Sequence, residues 1–319
     1  MSPPAPLVAI LGPTASGKSA LAIEVARRWQ GEVLCCDSTQ LYRHFDIGTS
    51  KVRGAEQHGI PHHLMDLLEP HEIFTAGDYR RSALQVLAAL GRRGRLPVLT
   101  AGTGLYLRAL LEGLADAPSR SEELRDRLRG RAQKRGPEYL HRLLARLDPP
   151  SAARIAPPDA PKLIRAIEVC LATGRPMSEV LRQPRPRLEG FQTVKIGLMP
   201  PRPALYERIE RRTHAMLAAG WLDEVRSLLA RGFGPETKPF QFIGYSELRA
   251  HLAGLVDLET SVRAIQQATR RYAKRQITWF RREGGVVWFE GFGDDPAIVE
   301  NVFATLGPSL ERPAAAGGQ

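Results

Sequence analysis

The chain runs from Leu7-Val8-Ala9-Ile10-Leu11 into Gly12-Pro13-Thr14-Ala15-Ser16-Gly17-Lys18-Ser19 and on through Ala20-Leu21-Ala22-Ile23-Glu24-Val25-Ala26. The five apolar residues predict a buried strand, and the last seven predict the opening of a helix. Between them stands the pattern G-x-x-x-x-G-K-[ST], which in a strand–loop–helix setting is a phosphate-binding loop. Gly12 and Gly17 let the backbone curl, so that the N–H groups of Thr14, Ala15, Ser16 and their neighbours point inward at one anion. Lys18 adds a point charge, and the Ser19 hydroxyl is placed to hold Mg²⁺. The helix N-terminus turns its dipole on the same anion. The expected ligand carries a di- or triphosphate.

Alternation of strand and helix continues to about residue 113, which predicts an α/β fold: a P-loop NTPase-like parallel sheet flanked by helices. In such a sheet the carboxyl ends of the strands line one crevice, and ligands bind there. A nucleoside-triphosphate hydrolase usually holds its magnesium with an acid at the end of a second buried strand. The candidate strand Leu96-Pro97-Val98-Leu99-Thr100-Ala101-Gly102 ends instead in Gly102-Thr103-Gly104, without a carboxylate. The acid stands at the end of Glu32-Val33-Leu34-Cys35-Cys36-Asp37. Asp37, Thr103 and the phosphate loop are therefore expected to share one cleft. A carboxylate and a hydroxyl there suit a group transfer whose second substrate must lose a proton. A helix cap or a water-mediated magnesium ligand are the other readings of Asp37.

With 319 residues and 43% hydrophobic content, the chain can bury a full core, expected as one domain carrying an insertion. Cys35, Cys36 and Cys170 show no metal spacing, which reads as a reduced, cytoplasmic protein. The first residues show no signal-peptide pattern, and no apolar run approaches the roughly 20 residues that span a bilayer. His58, His62 and His63 sit in a long polar loop, where Gly59-Ile60-Pro61 breaks any helix and no cysteine or acid completes a tetrahedral set. The formal charge is +11, and only seven of the 45 basic residues are lysine. Arginine makes bidentate contacts with phosphate, so the balance points to a polyanionic partner, nucleic acid first.

The composition changes between residues 116 and 189. Leucines recur at helical spacing, as at Leu140, Leu143, Leu144 and Leu147, and prolines break the stretch into short helices. It reads as an all-helical insertion between core segments 1–115 and 190–310, with 311–319 a disordered tail. Within it, Pro161-Lys162-Leu163-Ile164-Arg165 is placed to contact an anionic chain or forms a solvated face. Farther on, Arg208 and Arg212 lie one helical turn apart. They either close over a diphosphate opposite Lys18 or form an ion-pair ladder with Glu207 and Glu210. From Val262 to Arg282 there are seven basic residues and no acid, interrupted by Trp279 and Phe280. Such a helix suits backbone phosphates.

Taken in order, these motifs resemble the bacterial tRNA dimethylallyltransferase (tRNA isopentenyltransferase) family from about residue 7 to 292. The resemblance rests on the phosphate loop, Asp37-Ser38-Thr39-Gln40-Leu41-Tyr42, Asp46-Ile47-Gly48-Thr49 and Gly59-Ile60-Pro61-His62-His63-Leu64. It continues through Ala101-Gly102-Thr103-Gly104-Leu105-Tyr106, Ile243-Gly244-Tyr245 and Ala273-Lys274-Arg275-Gln276-Ile277-Thr278-Trp279-Phe280. Thr39 and Ala101 depart mildly from the family pattern.

The resemblance implies transfer of a dimethylallyl group from dimethylallyl diphosphate to N6 of adenosine 37, in tRNAs reading codons that begin with U. It implies Asp37 as general base, Thr103 as a group fixing the amine or a diphosphate oxygen, and Mg²⁺ on Ser19. It also implies Gln40 as a reader of the neighbouring base, with Ser38, Thr39, Gly244, Tyr245, Arg271, Lys274 and Arg275 against the RNA. The insertion would grip the anticodon stem-loop, and a monomer clamping one tRNA is the simplest arrangement. A small-molecule kinase and a nucleic-acid-dependent ATPase are the rival classes. The first leaves the basic helix unexplained, and the second lacks its strand-terminal acid.

Overall fold

The computed structural model describes residues 4–136 and 138–310; the expected tail, 311–319, lies outside them. In chain order the elements are β1 (Ala5–Leu11), α1 (Lys18–Arg28), β2 (Gly31–Cys36), β3 (His62–His63), α2 (Ala76–Arg92), β4 (Leu96–Ala101) and α3 (Gly104–Glu112). Five helices follow: α4 (Glu122–Arg135), α5 (Glu138–Leu147), α6 (Pro149–Ala152), α7 (Ala160–Thr173) and α8 (Met177–Val180). The chain continues with β5 (Phe191–Leu198), α9 (Arg202–Ala218), α10 (Trp221–Ala230), α11 (Tyr245–Leu252), α12 (Leu258–Phe280), β6 (Val286–Phe289) and α13 (Pro296–Leu310). Two compact units result, one of Met1–Leu111 with Glu189–Gln319, the other of Glu112–Leu188.

In the first unit all six strands are parallel, in the order β3-β2-β4-β1-β5-β6. Val8 to Leu11 of β1 are wholly buried, as expected of a central strand with helices on both faces. Leu21, Ala22, Val25 and Ala26 of α1 pack on Val8, Ile10, Val33 and Val98, and α13 adds Val302 and Leu306. Because β1, β2 and β4 stand side by side, their carboxyl ends bring residues 12, 37 and 102 to one edge of the sheet. The polar loop containing the histidines holds a strand that the sequence does not announce. His62–His63 pairs with Val33–Leu34 of β2, and His63 Nε2 hydrogen-bonds Glu32 Oε2 at 2.7 Å. Two residues are too few to show a period.

The second unit has helices and no strand among its described residues. Leu128, Leu140, Leu144, Leu163, Ile164 and Ile167 form its core. Glu168 is buried in it and receives the Ser121 N–H and both Arg125 and Arg165. Among the described residues no helix is long and apolar enough to cross a membrane.

Candidate active site

The loop after β1 folds back on itself, with Ser16 N–H donating to Pro13 O. Gly17 sits at φ 86°, and a Cβ there would come 2.7 Å from Gly293 N. A Cβ on Gly12 would meet Leu198 O at 2.9 Å. Both glycines are therefore required by close backbone approach as well as by curvature. No side chain caps α1, so its first N–H groups remain available to an anion. Lys18 Nζ donates to Pro13 O at 2.7 Å. Burial pulls its pKa down to about 8, while the nearby Asp37 charge raises it and Arg212 lowers it. A diphosphate in the loop would raise it again by favouring the charged form.

Residues 14–19 line a cavity of about 920 Å³ together with Asp37, Ser38, Thr39, Gln40, Arg208, Arg212 and Arg275. Asp37 follows β2, and its Oδ1 accepts the Thr39 N–H at 2.9 Å and the Thr39 hydroxyl at 2.8 Å. Its Oδ2 lies against Gly102, where a Cβ would come within 2.3 Å of it. Thr103 Oγ1 accepts the Ser38 N–H at 3.0 Å and stands 3.2 Å from Ser38 Oγ. It braces the turn after Asp37 from the neighbouring strand end.

The two arginines of α9 have separate partners. Arg212 Nη1 donates to Thr14 Oγ1 at 3.0 Å. Arg208 forms a two-pronged pair with Asp294, one contact being 2.7 Å, and its guanidinium lies 4.2 Å over the Phe292 ring. Glu210, which the sequence offers as a ladder partner, pairs instead with Arg270 at 2.6 Å. No ladder joins Glu207 and Glu210 to Arg208 and Arg212 among the described residues.

The residues expected against the RNA take up varied positions. Gln40 lines the cavity, and its amide braces the 49–50 loop: Oε1 accepts Cys35 S–H at 2.6 Å, and Nε2 donates to Thr49 O and Ser50 O, both at 3.1 Å. Tyr245 is wholly buried and donates to Glu224 Oε1 at 2.6 Å, while Glu224 Oε2 takes the N–H groups of Asp46 and Ile47. Gly244 is buried against Trp221, whose ring a Cβ there would strike at 2.0 Å. This pair supports the 46–48 loop rather than a surface. In the helical unit, Leu163 and Ile164 are core residues. Pro161 is exposed, Lys162 pairs with Asp159, and Arg165 holds Glu168 and Pro118 O.

On α12 the basic residues divide. Arg263 pairs with Glu259 and Arg270 with Glu210. Arg271, Lys274 and Arg275 are exposed and have no acidic partner among the described residues. Facing the other way, Gln276 Oε1 accepts the Thr14 N–H at 2.7 Å, and its Nε2 donates to Gly102 O at 2.8 Å. Tyr272, one turn earlier, reaches the same carbonyl at 3.4 Å. Asp294, Tyr272 and Gln276 are cavity residues that the sequence reasoning missed. The signal for Gln276 was present: it occupies a position on the buried face of α12, with Ile265, Ala273 and Phe280, where an apolar residue is expected.

Comparison with known proteins agrees with this geometry. The profile of the IPP transferase family matches residues 40–283. A tRNA dimethylallyltransferase of Solibacter usitatus is 52% identical over 295 residues, covering 92% of this chain and 96% of that one. The solved tRNA isopentenylpyrophosphate transferase of Bacillus halodurans superposes with a TM-score of 0.71 at 37% identity, over 96% of this chain and 97% of its own. A eukaryotic dimethylallyltransferase solved acting on tRNA gives a TM-score of 0.84 at 26% identity, over 98% of this chain and 81% of the other. Shared along nearly the whole length in sequence and in backbone, these matches mean that the chain belongs to the IPP transferase family.

Proposed function

We propose that the chain transfers a dimethylallyl group from dimethylallyl diphosphate to N6 of adenosine 37 in tRNAs that read codons beginning with U, acting as a cytoplasmic monomer. One observation carries the reading: a carboxylate oxygen of Asp37 and a phosphate loop with three cations open on the same cavity. The diphosphate lies on the loop N–H groups, Lys18 and Arg212, with Arg208 near at hand. The adenine leaves its stack to enter the cavity. Its N6 lone pair forms a bond to C1 of the prenyl group, the C1–O bond breaks, and its electrons pass to the departing diphosphate. The N6 proton goes to Asp37, whose orientation Thr39 fixes through Oδ1. Charge grows on the leaving group as the C1–O bond lengthens, and preorganised donors there are worth on the order of 3 kcal/mol each.

Ser19 lines the cavity at the end of the loop, and its hydroxyl suits a hard cation. We propose that Ser19 would hold Mg²⁺, which would supply charge neutralisation at the leaving group. On α12, Arg271, Lys274 and Arg275 follow the RNA backbone.

Labelled dimethylallyl diphosphate, offered with an unmodified anticodon stem-loop carrying adenosine or guanosine at position 37, tests the reading. Label on the adenosine RNA alone is the expected outcome. ATP consumption without label transfer to either RNA would replace it with a kinase.

A further inference from the structure

Gln276 ties the phosphate loop to the strand end beside Asp37. Its Oε1 accepts from the Thr14 N–H at 2.7 Å, and its Nε2 donates to Gly102 O at 2.8 Å. The residue is 6% exposed. Gly102 in turn lies against Asp37 Oδ2, so closely that even a methyl group there would strike it. An unbroken line of contacts therefore runs from the loop that holds the leaving group, through one amide, to the carboxylate that takes the proton.

A buried glutamine on the apolar face of an amphipathic helix is costly unless both ends of its amide are satisfied. Here both are, and both by main-chain groups of separate strand–loop units. The Thr14 N–H is thereby withheld from the anion and spent on fixing the loop. From this geometry we infer that Gln276 is a positioning residue, setting the distance between the bound diphosphate and Asp37 and touching neither substrate in the reaction. The inference rests on the transfer activity proposed above. Reacting atoms must lie about 3–3.5 Å apart, and a misplacement of about 1 Å costs on the order of a hundredfold in rate. A residue of this kind acts on the chemical step and spares binding of the anion itself.

The test uses the full-length protein, the labelled-donor assay and inorganic diphosphate as a binding probe. Gln276→Met keeps the shape and removes both hydrogen bonds. Gln276→Asn keeps the amide but is one methylene too short to span both partners. Gln276→Met is expected to lower kcat roughly ten- to a hundredfold, while diphosphate affinity stays within about threefold of wild type. Gln276→Asn is expected to lose at least about fivefold. Should Gln276→Met fail to give a cooperative melt, the Asn variant decides alone. Turnover within twofold of wild type overturns the inference. So does a loss of diphosphate affinity as large as the loss in kcat, which would make Gln276 a mere prop for the loop. Absence of transfer by wild type would instead overturn the proposed function, and this inference with it.

Discussion

Asp37 lines the cavity with its Oδ1 committed to Thr39 and its Oδ2 against Gly102, where it accepts no hydrogen bond among the described residues. One oxygen fixed and one open is what a proton acceptor needs, since orientation is settled before the substrate arrives. Asp37→Asn keeps the Thr39 contacts and removes the basic oxygen. It is expected to lower kcat by about 10²–10⁴-fold with RNA affinity within about twofold, as read by single-turnover transfer and filter binding. A variant retaining a tenth of the wild-type rate would exclude Asp37 as the base. Asp37, Lys18 and Ser19 were legible because their chemistry is tied to short motifs of fixed spacing. The surroundings of Gln40 were less legible for the opposite reason. Only folding brings Cys35, Thr49 and Ser50 to its amide. Thr39, noted as a departure from the family pattern, supplies a hydroxyl to the base.

Among the elements, α12 has two functional faces. Its inner face holds Tyr272 and Gln276, its outer face shows Arg271 and Lys274, and Arg275 stands at the border, exposed yet lining the cavity. Exposed cations that follow a phosphate backbone each release counterions, so the slope of log affinity against log salt reports their number. Lys274→Ala and Arg271→Ala are each expected to weaken anticodon stem-loop binding and to flatten that slope by roughly 0.7–0.9. Arg263→Ala and Arg270→Ala should leave the slope nearly unchanged, because Glu259 and Glu210 already hold those guanidinium groups. An equal effect from all four would mean that the helix acts only through net charge. The basic run was plain in the sequence, yet Glu210 is sixty positions from Arg270 and no local window reveals such a pairing. The same limit explains Pro161 to Arg165. Leu163 and Ile164 are buried against Leu128, Leu140 and Leu144, partners that no local window reveals.

At the scale of the molecule, the order of strands and helices was readable because a parallel sheet needs crossovers and the chain alternates accordingly. The edge strand at His62–His63 was not, being held by pairing to β2 rather than by any pattern of its own. The helical unit keeps a buried acid at its centre. Burial works to raise the Glu168 pKa, but the hydrogen bonds from Arg125, Arg165 and the Ser121 N–H overcome it and bring it to about 2. A carboxylate lowered in this way contributes stability above its unfolded value of 4.5 and loses it as pH falls toward about 2. The contribution is on the order of 3 kcal/mol. Thermal melts between pH 5 and pH 2.5 should therefore fall steeply for the wild type. Glu168→Gln, less stable at neutral pH, should show a shallower acid limb, and parallel limbs would remove Glu168 as the cause. Synthesis gives the strand order a further meaning. β1 ends at Leu11 and has its β4 partner once Ala101 is made, but its other partner is complete only at Leu198. At about 5–20 residues per second, that interval lasts roughly 5–20 seconds. Until β5 emerges from the ribosome, a strand that is wholly buried from Leu7 to Leu11 in the finished protein is the open, apolar edge of a half-built sheet.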